Sequence, residues 1–314
     1  MAPMTQASLS PRAWAELLLL ALIWGASFLS IRVALYEIGP LWVVAWRTGL
    51  AALLLWGLAF ARGWSLPRDR GTWAALAVMG ALNNALPFTL MAWGQQHITT
   101  GLTSILNAGT AVWGVLLAAL VLADERLTPR RAAGVGLGFA GVATAIGPGE
   151  LRSLDLTSLA QLAVVAGTLS YALASVWARV RFKGLAPPVA ALGMVTASAL
   201  MMLPTAWIVE GSPRLALSAQ AWAAILWFAG AGTALAYLLY YRVLAMAGSG
   251  NTMLVTLLIP PVAITLGWAV LGEDLSPRAL MGFALLAAGL LLLNRRPARK
   301  AHPRATATPF SSGR

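Results

Sequence analysis

The sequence predicts an all-α integral membrane protein. Ten transmembrane helices form two inverted five-helix repeats around a central cavity, with both termini in the cytoplasm. Three observations lead there. The chain is 59% hydrophobic and only 10% charged, with a mean hydropathy of +0.77, whereas a soluble domain carries about 25% charged residues. Ten apolar spans follow one another through short loops, most of them near the ~20 residues that cross a bilayer core. One motif also occurs twice: Glu-Arg-Leu-Thr-Pro-Arg at 125–130 returns 148 residues later as Glu-Asp-Leu-Ser-Pro-Arg at 273–278. The same offset matches Gly134 to Gly282 and Gly141 to Gly289. Five crossings per copy turn the second copy upside down, and inverted repeats characterise transporters, which must open alternately to two sides.

The spans fall at 13–35, 40–61, 72–93, 99–121, 129–147, 158–180, 187–209, 220–241, 250–271 and 277–294. The first is too long for a cleavable signal, continues past Trp24 and lacks a small-residue cleavage site. The third holds Asn83-Asn84 one turn before Pro87. Thr128-Pro129 and Ser276-Pro277 read as N-cap plus first-turn proline, opening spans five and ten. Glu125 and Glu273, just ahead of them, are placed to satisfy backbone donors at the interface. The first repeat is 1–147, an outer loop covers 148–157, the second repeat is 158–294, and 295–314 is a basic, disordered cytoplasmic tail rich in Pro, Ala and Thr.

Lys and Arg set the direction. With the N-terminus inside, seventeen basic residues fall in cytoplasmic segments, six of them in the tail. Only Arg152, Arg214 and Arg278 fall outside, while Arg32 and Arg47 lie within spans. The net charge of +12 therefore marks topology and not a nucleic-acid partner. The chain has no cysteine, which excludes disulfides and thiolate chemistry. His97 and His302 have no ligand cluster around them, so neither a metal nor a cofactor is expected. An intramembrane enzyme is the alternative from another class, but no catalytic dyad or phosphate loop appears.

The repeated Glu-x-Leu-Ser/Thr-Pro-Arg element, Trp-Gly-Ala-Ser-Phe at 24–28, the arginine of Ala-Trp-Arg-Thr-Gly at 45–49 and Ile-Pro-Pro-Val at 259–262 resemble the EamA-type members of the drug/metabolite transporter superfamily. The resemblance covers residues 13–294 and leans towards bacterial exporters of neutral and aromatic amino acids. It implies alternating access, a small-molecule substrate, a multi-pass position in the bacterial inner membrane, and peripheral fifth and tenth helices. It fits a monomer or a homodimer. Multidrug or other metabolite efflux by proton antiport is the second reading. The proline usual in the middle of span four is missing, since Gly109-Thr110 stands opposite Ile259-Pro260-Pro261. A straighter fourth helix than ninth is expected. The matching family arginine, here Arg47, is usually structural.

Polar residues at depth face protein or a water-filled cavity. Three stripes have helical spacing: Thr103, Asn107 and Thr110; Thr168, Tyr171 and Ser175; Thr233, Tyr237 and Tyr240. Trp24 and Ser27 add to them from the first span. The expected substrate-binding set is Trp24, Ser27, Asn83, Asn84, Asn107, Thr110, Thr168, Tyr171, Ser175, Thr233 and Tyr237, with Pro87, Pro260 and Pro261 as hinges. The bland alternative for each hydroxyl is a bond between helices, typically about 0.6 kcal/mol. Arg47 lies about 10 Å down its helix at ~1.5 Å per residue and calls for a partner, with backbone carbonyls preferred over a substrate carboxylate. No carboxylate lies near midplane, and Glu16 is shallow, so no side chain is placed as a proton carrier.

Overall fold

The computed structural model describes residues 10–121, 128–146, 156–252 and 255–294, and no strand occurs among them. Glu125, most of the outer loop and the basic tail lie outside the described residues. The helices are α1 (Pro11–Ala34), α2 (Pro40–Arg62), α3 (Arg70–Gly94), α4 (Thr100–Val121), α5 (Pro129–Ile146), α6 (Leu156–Arg181), α7 (Pro187–Glu210), α8 (starting at Ala219 and ending at Thr252), α9 (Val255–Leu271) and α10 (Pro277–Asn294). Seven of them are long and apolar enough to cross a membrane, and α9 and α10 are shorter apolar helices.

Most helix starts find side-chain acceptors for their orphan amides. Ser10, Asp69, Thr99 and Ser218 cap their own helices. Thr128 and Ser276 accept from Arg131 and Ala279, as their sequence setting predicts. Two hydrogen bonds from Thr72 hold the Asp69 carboxyl below the usual carboxylate range. Three further glutamates cap helices other than their own. Glu210, closing α7, accepts from Leu41 and Trp42 at the start of α2, at 2.9 and 3.1 Å. Glu273, after α9, accepts from the amide and hydroxyl of Thr100. Glu37, after α1, accepts from the amide and hydroxyl of Ser218, which holds its carboxyl below the ordinary range. These contacts tie the ends of α1, α7 and α9 to the starts of α8, α2 and α4. At the opposite end of α1, Glu16 pairs with Arg12 and with Arg242 of α8.

Two expectations change. The discontinuity lies in α4, not in α9. At Gly109 the amide turns back to Leu106, three residues earlier, at 3.0 Å, whereas α9 runs through Pro260 and Pro261 without a break. Gly109 keeps an ordinary right-handed conformation, and what the turn uses is its missing side chain: a β-carbon there would stand 2.9 Å from the Leu106 oxygen. Second, α8 continues to Thr252 instead of ending at 241, so only residues 253–254 separate it from α9.

Helices α5 and α10 run antiparallel and pack closely through the motif-matched glycines. A β-carbon on Gly134 would stand 3.0 Å from the carbonyl oxygen of Gly289, and one on Gly141 would stand 2.7 Å from that of Gly282. The contact is crosswise: the first glycine of one copy meets the second glycine of the other. Small residues are what let membrane helices approach this closely.

Candidate functional site

The interior polar cluster is built on two π-helical segments, 81–85 in α3 and 227–235 in α8. A π turn bonds five residues back instead of four, and where it returns to α geometry one carbonyl loses its donor. In α3, Leu86 donates to the oxygen of Ala81, so Leu82 is skipped. The hydroxyl of Ser170 on α6 donates to the Leu82 oxygen at 2.7 Å. Pro87, with no N–H of its own, follows at once and adds to the shortage of donors. In α8, Ala236 donates to Ala231, which strips Gly232 of its α-helical donor. Trp24 Nε1 takes up that oxygen at 3.2 Å, and Arg47 Nη2 approaches it at 3.5 Å. Two of the sequence motifs, Trp-Gly-Ala-Ser-Phe and Ala-Trp-Arg-Thr-Gly, thus converge on one carbonyl.

Ser27 completes this junction. A β-carbon on Gly232 would stand 2.3 Å from its Oγ, so any larger residue there would make the Ser27 hydroxyl turn away. The Ser27 hydroxyl itself donates to Ile23 in its own helix at 2.8 Å.

The two π segments meet through Tyr237. Its hydroxyl accepts from Asn83 Nδ2 at 3.1 Å and donates to Asn84 Oδ1 at 2.6 Å. Adjacent residues on an α-helix point about 100° apart, and the widened turn lets both amides reach one hydroxyl. Asn84 is fully buried, and its Nδ2 has no partner.

Arg47 is 7% exposed. Its Nε donates to Thr233 Oγ1 at 2.9 Å, and the guanidinium lies over the Phe88 ring, 3.7 Å from its centre. Thr233 in turn donates to Phe228, five residues back, at 2.8 Å. Tyr171 meets Phe88 edge to face, with centres 6.3 Å apart.

Two groups therefore form: Trp24, Arg47 and Thr233 meet at Gly232 with Ser27 against it, Tyr171 reaches Arg47 through Phe88, and Asn83, Asn84 and Tyr237 bond one another. The other positions stand apart from both. Thr168 is buried and bonds Val165 in its own helix. Ser175 is exposed and bonds Ala172. Thr110 donates to Asn107 beside the break in α4. The hydroxyls of Thr110, Thr168 and Ser175 thus bond within their own helices. Sequence reasoning missed Ser170, Phe88 and Gly232 and set Arg47 aside. The adjacent asparagines before Pro87 were the available signal for the π turn.

Comparison with known proteins follows the same outline. The model of the EamA-like transporter family matches twice, over residues 13–147 and 158–295. A probable terminal-alkyne amino-acid exporter of Streptantibioticus cattleyicolor is 31% identical over 92% of this chain and 95% of its own length. A probable amino-acid metabolite efflux pump of Salmonella typhimurium is 25% identical over 88% of this chain and 92% of its own. A solved crystal structure, 18% identical, superimposes with a TM-score of 0.66 over 91% of this chain and 98% of that one, which shows the fold alone. With both halves of the sequence matched, this multi-pass membrane protein belongs to the EamA-like transporter family.

Proposed function

We propose that this chain exports neutral amino acids, aromatic ones among them, across the bacterial inner membrane by alternating access. Ten helices cross the membrane as two inverted repeats, with both termini in the cytoplasm. The observation that carries the reading is the polar cluster where α3 and α8 both adopt π geometry. Amide, hydroxyl and cationic groups stand there beside Tyr171, Tyr237 and Trp24, as a polar head with an aromatic side chain requires. The π turns give both helices backbone that can rearrange, and Pro87, Pro260 and Pro261 are the hinge positions. The antiparallel pairing of α5 with α10 supports inversion. The names of two relatives support amino-acid export.

Uptake of labelled amino acids into proteoliposomes, with and without a pH gradient, tests the activity. Net movement of phenylalanine or leucine is expected, and none from a whole amino-acid panel refutes it. Single cysteines at Arg68 and Asp274 test the topology. Arg68→Cys is expected to label from the cytoplasm and Asp274→Cys from outside. Labelling of both from one face removes the inverted arrangement.

A further inference from the structure

Arg47 is a buried cation deep in an apolar bundle, and among the described residues no carboxylate lies within ion-pairing distance of it. Its contacts are a hydroxyl, a distant carbonyl and the face of a ring. A guanidinium carries five N–H donors, and these contacts occupy two of them. A buried charge is normally paired, because desolvation is otherwise uncompensated. A second donor of the interior, Asn84 Nδ2 in the Tyr237 group, is also buried without an acceptor. Arg47 and Asn84 therefore leave donors unused, and Arg47 adds one uncompensated positive charge. The acidic residues whose partners are described, Glu16, Glu37, Asp69, Glu210 and Glu273, are all engaged near helix ends. None of them meets an ammonium group at this depth.

We propose that Arg47 is the carboxylate anchor of the transport site. The cargo is thus selected by its free carboxylate, while its amino group is dispensable for binding. Tyr171 and Phe88 then form the wall against which an apolar side chain lies. This rests on the proposed amino-acid export and narrows it. Acids that lack the amine are ligands, and amines that lack the acid are not.

The test is ligand binding to the full-length protein in detergent, followed by its tryptophan fluorescence. The probes are phenylalanine, 3-phenylpropionate, phenylalaninamide and phenethylamine. Phenylalanine and 3-phenylpropionate are expected to bind, and the amide and the amine to bind about tenfold or more weakly, since loss of one partner of a buried charge pair is severe. Arg47→Gln is expected to lose the acid probes by a similar factor, and Arg47→Lys to retain part of the affinity. Equal binding of acid and amine overturns the proposal. So does undiminished acid binding by a monodisperse Arg47→Gln protein, or failure of both acids to bind the wild type. If Arg47→Gln does not fold, the comparison of four probes on the wild type decides alone. Proteoliposomes that move phenylalanine and phenethylamine equally well refute the anchor and leave export standing. Arg47-dependent binding of 3-phenylpropionate without transport of any amino acid refutes export and leaves the anchor standing.

Discussion

Glu273 holds the start of a helix to which it does not belong: its two carboxylate oxygens accept the amide of Thr100 at 2.8 Å and the hydroxyl of Thr100 at 3.0 Å. The residue precedes α10 by only a few positions, yet it caps α4. Glu273→Ala is expected to lower stability by about 0.5–2 kcal/mol, the range for lost helix caps. A double-mutant cycle with Thr100→Val in thermal melts checks the pairing. Additive effects would mean that the hydroxyl bond contributes nothing, since the Thr100 amide is retained in the valine variant.

Glu37 gives the same end of the bundle a pH dependence. Its carboxyl is held below the ordinary range by its bonds to Ser218. The stabilisation is therefore present above the ordinary carboxylate range and is lost as pH falls through the lowered value. Melting profiles between pH 7 and 3 are expected to show a shallower acid limb for Glu37→Gln than for the wild type.

The glycine pairs in α5 and α10 predict a sharp contrast. Gly141→Ala would place a β-carbon 2.5 Å from the Leu286 amide and is expected to destabilise by about 1–3 kcal/mol. Gly136 has nothing within 4 Å of its ideal β-carbon, so Gly136→Ala is expected to be neutral or to stabilise by about 0.5–1 kcal/mol. Thermal melts that rank the two equally would discount the close approach.

Tyr237→Phe removes the hydroxyl that joins Asn83 to Asn84 and leaves the Asn84 amide with no partner on either atom. A loss of about 1–3 kcal/mol is expected, together with reduced transport of labelled phenylalanine. Asn83→Ala combined with Asn84→Ala is expected to lose most transport at normal protein levels.

Glu16 tests coupling. It is held between Arg12 and Arg242 near the start of α1, which suits an ion pair better than a proton carrier. Glu16→Gln is expected to keep most transport. Loss of transport together with its pH-gradient dependence would establish proton antiport instead.

The helices and the caps at Thr128 and Ser276 are legible in the sequence because hydropathy and capping are local. Asn83 and Asn84 stand out because two adjacent amides are hard to bury in lipid. Glu37 and Glu210 are not legible, since each caps a helix more than a hundred residues away. The π turn in α8 hides for another reason. Gly230 and Gly232 weaken the α-helix there without specifying a π turn, and the donors that stabilise the skipped Gly232 oxygen come from α1 and α2. Arg47 could be placed at depth by counting, but its lack of a counter-ion depends on what surrounds it in space.

The contact between α5 and α10 has the form of an isologous interface, in which each side presents the same patch to the other. Gly134 meets Gly289 as Gly282 meets Gly141, so a local twofold axis relates the contact faces of α5 and α10, much as it would two subunits of a homodimer. Such a surface recognises itself. Two half-length polypeptides cut between α5 and α6 would carry the complementary grooves needed to reassociate without the peptide that joins them.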